Sequence, residues 1–270
     1  MTTCKYCQSQ HTVKYGKKRD TQYYLCRICR HAFAGNGALP GMRYPPEPVA
    51  GALTMFYDGL SIDSVRSQLR SLYHVNPSDS TVYEWIIRFS AMAVLQADVI
   101  GAKAGDLWIA TETLLNIGQD LWLWDIIDHS TRFLLASHMT FAPTAHDAHQ
   151  LLLRAVAAAG REPRTIIADE LRPFLDFPAP GSGSDSAGDP ESFIVQPSPN
   201  LAAQVQSVLI ARSRVMRRMK NRKTARLVMD GWRVHYNFFA AQAELIGKTP
   251  GDAAGAAFTQ QGWEATVMGR

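Results

Sequence analysis

Four cysteines are the first side chains in this sequence with the types and spacing to do chemistry. CKYC supplies Cys4 and Cys7, CRIC supplies Cys26 and Cys29, and no cysteine follows. Two C-x2-C knuckles separated by a short stretch can bring four thiolates around one zinc ion. Such a site is structural, because four protein sulfurs leave no coordination position open for a substrate. His31 is a further donor nearby, made unnecessary by a complete set of four sulfurs. The stretch between the knuckles, HTVKYG and TQYYLC around the turn KKRD, reads as short strands. A ribbon this small depends on its metal to fold.

A second candidate lies in WIATETLLNIG, residues 108–118, which has the apolar character of a buried strand. Alternation sends Trp108, Ala110 and Glu112 to one face and Ile109, Thr111 and Thr113 to the other. The one acid of the run is therefore turned away from Thr111.

The elements that position these residues follow from composition and periodicity. The chain of 270 residues is long enough for two or three modules. No apolar run is long enough to span a bilayer, and MTTCKYCQSQ carries no hydrophobic leader, so a cytoplasmic, nucleoid-associated location is expected. Charge is uneven. Residues 1–46 hold eight Lys/Arg against one acid, residues 47–199 nine against nineteen, and residues 200–235 nine against one. Two basic blocks around an acidic middle favour a polyanion, most simply DNA. On the ribbon, Lys17, Lys18 and Arg19 are the candidate phosphate contacts.

After the Pro/Gly boundary LPGMRYPPEP come three amphipathic helix candidates. The second has Ser61 as N-cap and Ile62, Val65, Leu69 and Leu72 on one face. The third, SDSTVYEWIIRFS, has Ser78 or Ser80 as cap and a stripe of Val82, Trp85, Ile86 and Phe89. Their order suits a helix-turn-helix module, with Ser80, Thr81, Tyr83 and Arg88 toward DNA. From residue 105 three strands, a helix, a fourth strand, a loop and a long basic helix follow, the order of an RNase H-like fold. The expected architecture is α+β multidomain: a zinc ribbon (1–40), a helix-turn-helix module (41–100) and an RNase H-like α/β domain (101–270) with a flexible loop at 178–190. On the basic helix, Arg212, Arg214, Arg217, Arg218 and Lys220 lie among no acids and form a candidate phosphate ladder.

The ordered set CKYC, CRIC with HAF, LPGMRYPPE, YDGLSIDSV, TVYEWI, DIIDHSTRFLLAS, TIIAD, RSRVMRRMKNRKTARLVMDGWRVHYNFF and GKTPGDAAG resembles insertion-sequence transposases of the DDE superfamily. The resemblance covers nearly the whole chain and is nearest the insertion-sequence-six branch. It implies three carboxylates holding paired magnesium ions for strand transfer on DNA, and a homodimer. Carried onto this sequence, the three positions are Thr111, Asp169 and Ala203, of which only Asp169 is an acid. One aspartate and a threonine hydroxyl are a poor set for two hard cations. The expectation is a transposase-like DNA-binding protein that has lost its chemistry. Two alternatives stand beside it: an active enzyme using Glu170 or Glu112 as substitute ligands, and a regulatory DNA-binding protein derived from a transposase.

Overall fold

The computed structural model describes residues 2–18, 21–116, 120–168, 194–196, 222–259 and 262–268. The first sheet is antiparallel, with β1 (Thr12–Lys18), β2 (Thr21–Cys26) and β3 (Ala32–Ala34) in that spatial order. A register shift between Lys14 and Gly16 marks a bulge, where Gly16 has φ +144°, a conformation open to a residue without Cβ. The apolar cluster of this ribbon has Cys4, Cys26 and Phe33 buried at its centre, with Tyr24 and Cys29 packed against them.

Three helices follow. The first, α1 (Pro46–Tyr57), opens on prolines in its first turn, where a missing N–H costs nothing. Ser61 caps α2 (Ile62–Tyr73) by accepting the Ser64 amide at 3.1 Å, as the sequence suggests. Ser78, not Ser80, caps α3 (Asp79–Ala97), accepting the Thr81 amide at 3.2 Å. The third helix runs well past the stretch read from sequence, to Ala97, and buries Val82, Trp85, Ile86 and Phe89. Leu72 departs from expectation. It lies in the last turn of α2, beyond the turns where Val65 and Leu69 are covered, and is 63% exposed. Arg66 ties α2 to the start of α3, donating to the Pro77 carbonyl at 2.8 Å and pairing with Asp79 at 2.5 Å.

The second sheet has the spatial order β6-β5-β4-β7-β8. Its strands are β4 (Leu107–Asn116), β5 (Asp120–Asp128), β6 (Leu134–Thr140), β7 (Thr165–Ala168) and β8 (Ile194–Gln196). The first three form an antiparallel meander, and β7 and β8 add in parallel beside β4. Between β6 and β7 runs α4 (Ala145–Ala159), held at its start by a reciprocal Thr144–Asp147 capping box and ended by Gly160 at φ +67°. The expected strand–helix–strand order is therefore present. Strand β8 is an addition to the elements expected from sequence, since three residues carry no legible alternation. The expected loop at 178–190 lies outside the described residues.

Alternation along the central strands splits the core in two. On one face Ile109, Leu123 and Ile127 pack with α1 and α3 and with two helices near the C-terminus, α5 (Arg222–Val234) and α7 (Trp263–Met268). On the other face Trp108, Trp124 and Ile126 pack against Ala148, Leu151 and Ala155 of α4. The helices of residues 46–97 thus share one continuous apolar cluster with the sheet. After α5 the chain makes a π-helical turn (His235–Phe239) and a one-turn helix, α6 (Pro250–Ala253). In that π-turn Asn237 gives its side-chain amide to Leu134, accepting its N–H at 2.9 Å and donating to its carbonyl at 3.0 Å. The side chain thereby replaces a strand partner at the open edge of β6. Trp232 and Tyr236 are buried and stack on each other. Among the described residues no helix is long and apolar enough to cross a membrane.

Candidate functional site

At the ribbon, the four sulfur atoms of Cys4, Cys7, Cys26 and Cys29 all lie within 4.8 Å of one another. Two pairs, Cys4–Cys29 and Cys7–Cys26, are 3.5 Å apart, and all four cysteines are free. A zinc tetrahedron with bonds of about 2.3 Å sets sulfurs roughly 3.8 Å apart, so the cluster has the dimensions of a zinc site. The backbone prepares it. The Cys29 amide, followed by that of Ile28, pulls Cys26 down to about 6 against the effect of burial. Cys29 takes the opposite shift. Although the His31 amide lowers it, burial and the three neighbouring sulfurs push it up to about 12. A divalent cation is the counter-charge that lets all four be thiolates together. His31 stacks on Tyr6 and stays outside the sulfur cluster.

Lys17 and Lys18 are exposed at the hairpin end of β1, where they pair in register with Gln22 and Thr21. Arg19 lies outside the described residues.

In the main sheet Thr111 is 4% exposed, and its hydroxyl has no hydrogen-bond partner among the described residues. Its cross-strand neighbour on β5 is Asp125, and the next in that row, on β6, is Ser137. Asp125 is fully buried and accepts the Ser137 hydroxyl at 2.5 Å. A row of three polar side chains, Thr111, Asp125 and Ser137, thus crosses the face that carries Ile109, Thr113 and Leu123. Glu112 is on the opposite face, where its carboxylate accepts the Trp124 indole N–H at 2.7 Å. The alternation read from sequence is therefore present. Glu112 could reach the Thr111 side only by crossing the sheet.

The parallel ladder between β4 and β7 pairs Ala110 with Ala168, one residue before Thr111 and one before Asp169. Asp169, Glu170 and Ala203 themselves lie outside the described residues. The donors the structure does describe do not fit a pair of magnesium ions. They are one hydroxyl and one carboxylate already bonded to Ser137, where each ion needs several hard oxygen ligands. Asp128 is a turn acid, as its position before STR suggests. It accepts the Gly105 amide, the Thr131 amide and the hydroxyls of Ser130 and Thr131.

Of the side chains on α3 expected to face DNA, Ser80 and Arg88 are exposed, Thr81 is half-buried, and Tyr83 packs partly against the core. Thr81 and Arg88 share a groove of about 440 Å³ with Arg43, Tyr44 and Asn76, whereas Ser80 and Tyr83 do not line it. Nothing in the sequence around Arg43 marks it as a partner of Arg88. Only the fold brings the segment before α1 alongside α3. Arg212, Arg214, Arg217, Arg218 and Lys220 lie outside the described residues. Asp125 is a further site residue that the sequence alone does not single out. A signal was present, since Asp125 shares parity with Leu121, Leu123 and Ile127, and an acid in a buried row demands a partner.

No family model and no curated protein matches the chain. Among solved structures it is similar to the catalytic core domain of HTLV-2 integrase in complex with magnesium, in a trimeric form. The identity is 14% and the TM-score 0.41, over 57% of this chain and 99% of that one. It is also similar to the intasome of simian T-cell lymphotropic virus in complex with the PP2A regulatory subunit B56 gamma. There the identity is 12% and the TM-score 0.40, over 73% of this chain and 77% of that one.

Proposed function

We propose that this chain is a transposase-derived DNA-binding protein without strand-transfer activity. It is divided into a zinc ribbon (1–40), a helix-turn-helix module (41–100) and an RNase H-like domain (101–270), and works as a homodimer at the nucleoid. The observation that carries the loss of chemistry is Thr111. A buried hydroxyl, without a hydrogen-bond partner among the described residues, occupies the position where the transposase resemblance calls for the first acid, and the adjacent Glu112 is bonded on the far face. DNA affinity rests on surfaces away from that position: the exposed lysines of β1, the groove of Arg43 and Arg88, and the basic stretch from Arg212 to Lys220 in the sequence. Zinc, held by the four cysteines, maintains the ribbon that presents Lys17 and Lys18.

The test is a mobility-shift titration of the full-length chain on duplex DNA across a salt series, with a nicking assay in magnesium and in manganese. The expected result is binding that weakens steeply with salt and no cleavage with either metal. Replacing Lys17 and Lys18 by glutamine should lower the slope of log K against log salt by about one for each phosphate left without its cation. Nicking abolished by Asp169→Asn would overturn the proposal.

Asp125 favours a second reading, an active enzyme with a substitute ligand, because a buried carboxylate lies one strand over from Thr111 on the same face. That reading expects metal-dependent nicking that disappears in Asp125→Asn. Its absence in the wild-type chain eliminates the reading.

A further inference from the structure

Where the edge strand β6 meets α4, α5 and the segment following α3, a cavity of about 380 Å³ opens. Three arginines line it: Arg154 from α4, and Arg226 and Arg233 from α5. Two carboxylates, Asp98 and Asp230, share the wall. The charges do not cancel pair by pair. Arg233 is matched with Asp98 at 2.6 Å. Among the described residues Arg226 reaches a carboxylate only at 3.8 Å, on Asp230 one turn further along its own helix. Arg154 has no carboxylate within ion-pair distance among the described residues. Its Nη2 donates to Nδ1 of His138 at 2.7 Å and its Nε to the Gln150 carbonyl at 3.2 Å, both neutral acceptors.

The environment sharpens the imbalance. Burial, and after it the positive charge of Arg226, holds Arg154 below the ordinary guanidinium value. Burial also pushes Asp230 above the ordinary carboxylate value, against the pull of Arg233, Arg226 and Arg154. A guanidinium cannot shed its proton in a protein, so the compensation has to come from an anion. The remaining walls come from Ser137 and from apolar residues that include Ile100, Leu135 and Ala158, and the volume exceeds what a bare ion fills.

We infer that this cavity is a binding site for a nucleotide phosphate, with Arg154 and Arg226 forking onto the phosphate oxygens and the apolar walls taking the sugar. Planar guanidinium forks suit phosphate in a way that point charges do not. The nucleotide is either free in solution or part of a DNA strand. Ser137, at the end of the row of Thr111, also lines the site, whereas no residue of the zinc ribbon does, and the inference does not depend on the DNA-binding proposal.

Isothermal titration of the full-length, zinc-loaded chain with inorganic phosphate and with adenosine 5′-monophosphate tests the inference at constant ionic strength. Saturable binding of both is expected, with the nucleotide the tighter, and sodium chloride titrated alone should give none. Arg226→Gln, which among the described residues gives up only the 3.8 Å pair with Asp230, should weaken both about tenfold, the worth of one charge-assisted hydrogen bond. Arg154→Gln should weaken them at least as much. Because it also removes a bond to His138, its melting temperature is checked alongside. Adding a 20-base-pair duplex separates the sources: competition with the nucleotide identifies a DNA phosphate, and simultaneous binding identifies a free nucleotide. No saturable binding above the chloride control, or unchanged binding in Arg226→Gln, overturns the inference, whatever the duplex does.

Discussion

The ribbon and the main sheet distribute metal donors and apolar core in opposite proportions. The ribbon's apolar cluster centres on three buried residues, two of them cysteines, and four sulfurs gather within 4.8 Å. The sheet is packed on both faces by large clusters that include Trp108 and Trp124, yet it offers one hydroxyl where the resemblance calls for a carboxylate. In the ribbon the ligands are the core, so the metal and the fold stand or fall together. In the sheet Thr111 is one side chain in a row already stabilised by its neighbours, so the fold does not hang on its residue type. Under the proposed function, that is how a fold outlasts its chemistry.

The largest expected effect breaks that contrast if it fails. One zinc per chain should be found by atomic spectroscopy, and its removal with a chelator, or Cys26→Ser, should unfold residues 2–34 altogether. Structural zinc supplies roughly 10–16 kcal/mol in comparable small modules, far more than three buried residues can. Amide spectra should show ribbon resonances collapsing to random-coil positions. The Trp108 indole, which donates to the Gly105 carbonyl at 3.0 Å, should stay in place. Loss of both signals would mean that the sheet depends on the metal too.

Next in size is Thr111→Asp, which places a second carboxylate beside the fully buried Asp125. An uncompensated buried charge costs about 3–5 kcal/mol, so the variant should melt well below the parent chain in chelator. If the row can hold a cation, magnesium should restore much of the loss and leave the parent chain unaffected. A variant that ignores magnesium would show that no cation fits the row. Smaller still is Thr111→Val. Removing a hydroxyl that has no partner among the described residues should leave stability unchanged or raise it by about 1 kcal/mol, measured by urea titration. A loss of that size would reveal a partner for the hydroxyl and weaken the contrast.

How much of this was legible depended on how local each feature is. The cysteine knuckles, the opposed faces of Thr111 and Glu112, and the Ser61 cap are set by spacings of a few residues, and the sequence displays them directly. Ser78 rather than Ser80 as the α3 cap is a choice between neighbours that backbone geometry decides. Leu72 fits the helical stripe by spacing, and only the end of the covering elements exposes it. Strand β8 is three residues long, too short for period-two alternation to register. The arginine cavity was not legible at all. Asp98, Arg154 and Arg233 are far apart in the chain, and only the meeting of α3, α4 and α5 at the edge of β6 brings them together. Asp125 lay between these cases, visible as an acid of the wrong parity yet without meaning until β6 placed Ser137 beside it.

The smallest expected effect concerns the face of the sheet opposite Thr111, where a chain of side chains fixes α4 to β6. Arg154 donates to Nδ1 of His138, so Nε2 carries the ring proton and donates to Asp147 at 2.9 Å. Burial holds His138 below its ordinary value of 6.5, opposed by Asp147 and reinforced by the charge of Arg154. Asp147 is also held low. Burial pushes it up, but the Thr144 hydroxyl and His138 outweigh that. Since the folded chain disfavours the protonated ring, the unfolded chain binds more protons between the two histidine values. Stability should therefore be complete above 6.5 and decline as pH falls through 6.5 toward the lower folded value. A second decline, from Asp147, should begin below its ordinary value of 3.8. His138→Gln, which keeps a donor and an acceptor but no charge, should flatten the first decline and shrink the second without abolishing it, since Thr144 still holds Asp147 low, in melting curves taken from about pH 8 to 3, a range that spans both ordinary values. If the first decline persists in His138→Gln, another histidine carries it. If stability rises on acidification, the ring is held protonated, and Arg154 is not its partner.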